Sequence, residues 1–96
     1  MTITSKQRAY LKSLAQKIEP IFQIGKNGLT PEITEAIDLA LEAREIVKIS
    51  VLQNCLEDPR DMAGMLSERT KSITVQVIGK KIVLYRPSKK NPKITL

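Results

Sequence analysis

The residue types able to do chemistry in this chain are few, and most of them are cations. There is no histidine and there is one cysteine, Cys55. Without an imidazole the usual proton shuttle near neutral pH is missing. A Cys/His metal site is impossible on these counts. Cys55 has no histidine to activate it and reads as small apolar filler near a strand end. Glu57, Asp58 and Asp61 come nearest to a divalent-ion cluster, but Asp58 followed by Pro59 is the signature of a helix cap. The expectation is a protein that is not an enzyme and has no metal and no cofactor.

The cations are unevenly placed. The 96 residues carry 16 Lys and Arg against 10 Asp and Glu, a net charge of +6. Before residue 30 five bases (Lys6, Arg8, Lys12, Lys17, Lys26) face Glu19 alone, and after residue 70 seven bases face no acid. The middle of the chain is acidic. If the two ends meet in space, they make a directed positive field suited to a polyanion. One group is Lys80 and Lys81, followed by Arg86, Lys89, Lys90 and Lys93. Another is Lys6, Arg8 and Lys12. A third is the run Gly25-Lys26-Asn27-Gly28 between a strand and a helix start. Glycines let backbone approach a nucleic-acid strand closely. The helix that follows offers free N–H groups and a positive dipole end to a phosphate, and Lys26 adds a mobile cation. KH-type GxxG loops use the same physics. The run is too short for a phosphate-binding Walker loop and lacks its Lys-Ser/Thr ending. Aromatics are limited to Tyr10, Phe22 and Tyr85. Binding should therefore lean on phosphates and shape, not on base stacking.

These residues need a scaffold, and the periodicity supplies one. Thr4 with Gln7 forms a capping box ahead of a helix over 5–17, closed by Pro20. Ile21 to Ile24 is a short strand. Thr30-Pro31 opens a second helix with a stripe of Ile33, Ala36, Ile37, Ala40 and Leu41, and an acidic outer face of Glu35, Asp38, Glu42 and Glu45. Ile46 to Leu52 is a strand apolar on both sides, hence central. A third helix over 59–69 buries Met62, Met65 and Leu66. Ile73–Ile78 and Ile82–Tyr85 form a hairpin around Gly79-Lys80, a type II′ choice that pairs Val77 with Ile82 and Val75 with Leu84. The order is α-β-α-β-α-β-β, one α/β domain over 1–96 with a four-stranded mixed sheet and three helices. Periodicity leaves open which face of the sheet the first helix covers. Residues 88–96 are basic and proline-broken, and read as a flexible tail, mobile or loosely docked. No apolar run approaches ~18 residues, so no membrane span is expected. The opening Met1-Thr2-Ile3-Thr4-Ser5-Lys6 is unlike a secretory signal. One cysteine suits a reducing compartment, and the expected location is cytoplasmic.

With these residues in hand, the chain resembles the stand-alone bacterial CRM-domain proteins (YhbY-like; chloroplast RNA splicing and ribosome maturation). The resemblance rests on Ser5-Lys6-Gln7-Arg8 with Leu11 to Ala15, on Gly25-Lys26-Asn27-Gly28-Leu29-Thr30, on Glu45-Ile46-Val47-Lys48, on Val75-Gln76-Val77-Ile78-Gly79-Lys80, and on Leu84-Tyr85-Arg86-Pro87. The segment Gln53 to Thr70 fits less closely and takes no function from it. The resemblance implies a fold similar to the C-terminal domain of bacterial translation initiation factor three. It also implies association with precursors of the large ribosomal subunit and a role in their assembly, with ribosomal RNA as the partner and Gly25 to Gly28 as the RNA contact; a monomer is expected. Competing readings are a protein-interaction adaptor, whose acidic second helix receives a basic partner, and an integral ribosomal protein with no assembly role.

Overall fold

The computed structural model describes residues 2–96, so the first residue of the expected 1–96 domain lies outside the described residues. The elements are α1 (Ser5–Ala15), β1 (Phe22–Ile24), α2 (Pro31–Arg44), β2 (Ile46–Val51), α3 (Pro59–Thr70), β3 (Ile73–Ile78) and β4 (Lys81–Tyr85), in the expected order. Each helix starts where local chemistry says it should. Thr4 Oγ1 accepts from the Gln7 N–H at 3.1 Å, and Gln7 Oε1 accepts from the Thr4 N–H at 2.9 Å. Thr30 caps α2 by accepting from Ile33 N–H, and Asp58 caps α3 by accepting from Arg60 N–H. Helix ends were less legible. α1 stops at Ala15, two residues early, because the next turn tightens: Lys17 N–H donates to Leu14 and Ile18 N–H to Ala15.

The four strands lie in the order β1-β2-β4-β3. β1 runs parallel to β2 through the α2 crossover, with Phe22 opposite Ile49 and Ile24 opposite Val51. β4 is antiparallel to both β2 and β3. β2 and β3 therefore share a direction, but the hairpin's return strand occupies the gap between them. The expected hairpin register holds at Val77↔Ile82 and then breaks. Val75 is bulged out between Thr74 and Gln76, so Leu84 faces Thr74 in place of Val75. The bulge turns Val75 to the opposite face, where it is buried with Leu11, Ala15, Ile46, Val83 and Tyr85. β3 is an edge strand, and at its bulge the successive Thr74 and Val75 carbonyls are both within reach of a side chain outside the sheet. Arg8 on α1 donates to both, each at 2.8 Å.

The open question about α1 is thereby answered. α1 covers one face of the sheet with Leu11 and Ala15. α2 and α3 cover the other, where Ile37, Leu41, Met62 and Leu66 meet Ile24, Val47, Ile49, Val51, Ile82 and Leu84. Cys55 is buried in this second core, as apolar filler should be.

One residue assigned to the outer face of α2 does not belong there. Glu45 caps the helix C-terminus with φ +68° and is fully buried. Its carboxylate accepts the backbone N–H groups of Ser88, Lys93 and Ile94. Glu42 accepts the Ser88 hydroxyl and the N–H of Lys89. The segment 88–96 has no helix or strand, as expected, but the structure docks it against the end of α2. Ile94 packs on the α1 core. Carboxylates far upstream in sequence provide that anchorage, which is why the segment reads as flexible on composition alone.

Candidate nucleic-acid interface

Gly25-Lys26-Asn27-Gly28 is a closed turn. Gly28 N–H donates to the Gly25 carbonyl at 3.0 Å. Gly28 has φ +64°, while Lys26 and Asn27 keep negative φ, the pattern of a type I turn followed by a left-handed residue. The two glycines have different reasons to be there. Gly28 needs its positive φ, which costs any other L-residue roughly 1–2 kcal/mol. Gly25 has ordinary backbone, but a Cβ there would press on Asn54 Oδ1 at 3.3 Å. Lys26 and Asn27 are exposed at the tip.

The helix end behind the turn offers an anion less than the sequence suggests. Pro31 has no N–H, the Ile33 N–H is taken by Thr30 Oγ1, and the Thr34 N–H goes to the Thr30 carbonyl. Glu32 adds a carboxylate in the first turn. Glu57, from the β2–α3 connection, also lies against the turn, where its carboxylate fills the space that a Cβ on Gly28 would need. Sequence spacing gave no sign of this contact, because Glu57 sits 29 positions away.

The sheet brings the hairpin tip to the same end. β1 ends at Ile24, opposite Val51. Ser50 pairs with Lys81, and Val51 N–H donates to the Lys80 carbonyl at 2.7 Å. β1 and β4 flank β2, so the turn and the hairpin tip stand roughly 10 Å apart across two strand spacings. Lys26, Lys80 and Lys81 thus share one rim of the molecule. Gly79 has φ +55°, as the type II′ hairpin requires. On the face that α1 partly covers, Gln23, Ser50, Lys81 and Ile78 form one row across all four strands. Lys81 Nζ donates to Ser50 Oγ at 3.2 Å within that row. Gln23, Asn54, Leu56, Glu57 and Ile78 are the rim residues that sequence reasoning missed.

Other expected contact residues are not at this rim. Arg8 is committed to the β3 bulge. Arg86 is 9% exposed, and its guanidinium is held by the Asp38 carboxylate, the Asp38 carbonyl and the Thr70 carbonyl, with Glu42 at 3.6 Å. It is a fastener for the chain's last segment. Lys89, Lys90 and Lys93 follow it at the opposite end of β4 from Lys81, so the structure splits what the sequence groups as one basic cluster. Lys93 Nζ donates to the Ala43 carbonyl. Lys6 lies by Tyr10 and Leu96, and Lys12 is exposed on α1.

The acidic face of α2 is occupied from within. Asp38 binds Arg86, and Glu42 and Glu45 bind the last segment. Among the described residues, both ion pairs involve Arg86. The hydrogen bonds from the Ser88 hydroxyl and Lys89 N–H, with the Arg86 charge, hold the Glu42 carboxyl below its ordinary range. Burial opposes ionisation of Glu45, but three backbone N–H donors and the Lys93 ammonium outweigh it and keep its carboxyl low as well. Burial and the Glu45 charge push the Tyr85 phenol up. A basic protein partner would meet Asp38, Glu42 and Glu45 already bound and Glu35 exposed.

Comparison with known proteins agrees with this architecture. The chain is 49% identical over 94 residues to the Probable RNA-binding protein YqeI of Bacillus subtilis (strain 168), covering 98% of each. It is 37% identical over 87 residues to a protein of Haemophilus influenzae named RNA-binding protein, covering 91% of this chain and 88% of that one. Its fold matches the solution structure of the hypothetical protein SAV1595 from Staphylococcus aureus with a TM-score of 0.82 and 52% identity, over 99% of both chains. The model of the CRS1 / YhbY (CRM) domain matches residues 3–86, from just before the α1 capping box to the buried arginine, and the chain belongs to that family.

Proposed function

We propose that this protein binds structured RNA through the rim formed by the Gly25–Gly28 turn and the Lys80–Lys81 hairpin tip. We further propose that the RNA is ribosomal RNA in precursors of the large ribosomal subunit, where the protein acts as an assembly factor. The observation that carries the RNA reading is the convergence of Lys26, Lys80 and Lys81 on one end of the sheet. At the other end Glu42 and Glu45 are bound by the chain's own last segment and Asp38 by Arg86. Three cations on one rim suit a phosphate backbone. The names of the Bacillus and Haemophilus relatives support RNA as the partner. The ribosomal assignment rests on the resemblance to the family. Lys6 and Lys12 add to the field from α1. No helix among the described residues is long and apolar enough to cross a membrane.

The test is a double substitution at the turn, Lys26→Asp with Asn27→Asp, keeping both glycines. Exposed turn side chains usually change stability by only about 0.5 kcal/mol, so the fold should persist. RNA affinity should drop well beyond the loss of one lysine contact. Lys26→Ala alone should reduce the log–log salt slope by about one unit. In cells the Asp variant should no longer co-sediment with large-subunit precursors. Unchanged binding and co-sedimentation would leave the turn without a role. Parent protein at one copy per mature, translating ribosome would mark it as an integral ribosomal protein.

A further inference from the structure

The rim carries two exposed apolar side chains that phosphate binding does not use. Leu56 is 97% exposed and Ile78 is 63% exposed. Both are firmly presented. Leu56 follows a turn closed by the Cys55 N–H donating to the Leu52 carbonyl, and Cys55 itself is buried in the core. The flanking Asn54 and Glu57 lie against Gly25 and Gly28. Ile78 is the last residue of β3, paired with Lys81 beside the hairpin turn. Among the described residues only one other large apolar side chain is as exposed: Leu39, also 63%, on α2 next to Asp38. Two of the three therefore stand beside Lys26, Lys80 and Lys81.

A ligand for this rim must offer anionic groups to the lysines and an apolar surface to Leu56 and Ile78. RNA offers both only where its bases are unstacked. In a continuous A-form helix the apolar base faces are covered by one another, and the protein meets phosphates, 2′-hydroxyls and the polar base edges of the minor groove. At a loop, bulge or junction a base face is free, and aliphatic side chains can pack on it or wedge beside it. Aromatic stacking is not on offer at the rim, since Phe22 is half-buried and Tyr85 is buried.

We infer that Leu56 and Ile78 contact unpaired bases, so that the protein selects RNA helices interrupted by unpaired nucleotides over uninterrupted duplex. This rests on the RNA-binding reading above. The lysines supply affinity from the flanking phosphates, and the two aliphatic side chains supply the discrimination.

The test uses two RNAs of equal charge, an uninterrupted duplex and the same duplex with an internal loop, titrated with the full-length protein at several salt concentrations. The parent should prefer the looped RNA by about five- to tenfold, the effect of burying part of two aliphatic side chains. Leu56→Ser with Ile78→Ser should bring that preference to within about twofold of unity, leaving duplex affinity and salt slope in place. Leu56→Phe should keep the preference, and Leu39→Ser should not alter it. Equal parent affinity for the two RNAs, or a preference that survives the double serine variant, overturns the inference while leaving RNA binding intact. Loss of preference in Leu39→Ser, or failure of Leu56→Phe to keep it, also overturns it. If the parent binds neither RNA in a salt-dependent way, the RNA-binding reading falls and the inference with it. Binding to vesicles of phosphatidylglycerol and phosphatidylcholine that depends on Leu56, without RNA preference, would assign the rim to a membrane surface instead.

Discussion

Glu57 is the least expected neighbour of the Gly25–Gly28 turn. It places a negative charge where a positive field was anticipated, packed over Gly28. An RNA backbone should therefore pass on the Lys26 and Lys80 side of the turn. Glu57→Gln should raise RNA affinity by about twofold at low salt, the size of one repulsion at ~8 Å in water. The gain should shrink as salt rises, and fluorescence anisotropy with a labelled RNA would measure it. A fall in affinity would mean that the Glu57 carboxylate itself contacts the RNA. The exposed tip of the turn was legible in sequence because turn chemistry is local: glycines flank it and polar residues cap it. Arg8 and Arg86 were not legible. Their partners lie 66 and 48 positions away, and an arginine destined for a carbonyl looks the same on the page as one destined for a phosphate.

Helix starts were readable from Thr4 and Gln7, from Thr30-Pro31 and from Asp58-Pro59, since each cap bonds within three residues of itself. The bulge at Val75 and the docking of residues 88–94 were not, because both depend on residues brought in from other elements. The anchored segment has a direct consequence. Truncation after Pro87, which composition alone would call harmless to the fold, removes the donors that hold Glu45. It should lower the melting temperature by about 5 °C or more, given ~4–8 °C per kcal/mol for a domain of this size. Acid should act on the same contact. Glu42 and Glu45 bind protons less readily in the folded protein than in the unfolded chain. Docking is therefore at full strength above the ordinary carboxylate value of 4.5 and weakens as pH falls from there through the depressed folded values. Amide exchange at residues 88–94 should accelerate, relative to the core strands, over that acidic range. An unchanged ratio, together with unchanged melting on truncation, would show that the segment contributes nothing to stability.

The molecule measures 36 × 25 × 22 Å and has two chemically different ends. β4 separates them: Lys81 opens it at the rim and Arg86 follows it at the other end, ~17 Å away at strand rise. That exceeds the ~8 Å Debye length at physiological ionic strength. A net charge of +6 is thus not one field but a rim and a separate terminus, where Arg86 is ion-paired and Lys89 and Lys90 stay exposed. Lys80→Ala with Lys81→Ala should reduce the salt slope of RNA binding by about two units. Lys89→Ala with Lys90→Ala should leave it nearly unchanged, although the charge removed is the same. Equal effects from the two pairs would mean that RNA wraps the molecule from end to end.

The Arg8 contact on the β3 bulge bears on how the protein behaves in a crowd. An outer strand with bare carbonyls is a template on which another chain can add a strand, the first step toward fibrils or precipitates. Here the bulge breaks the template's regularity, and a guanidinium covers two successive carbonyls there. One of the sixteen bases is therefore spent on an edge that would otherwise offer two acceptors to another strand. A count of positive charges would have credited it to RNA, but its place is on the sheet edge.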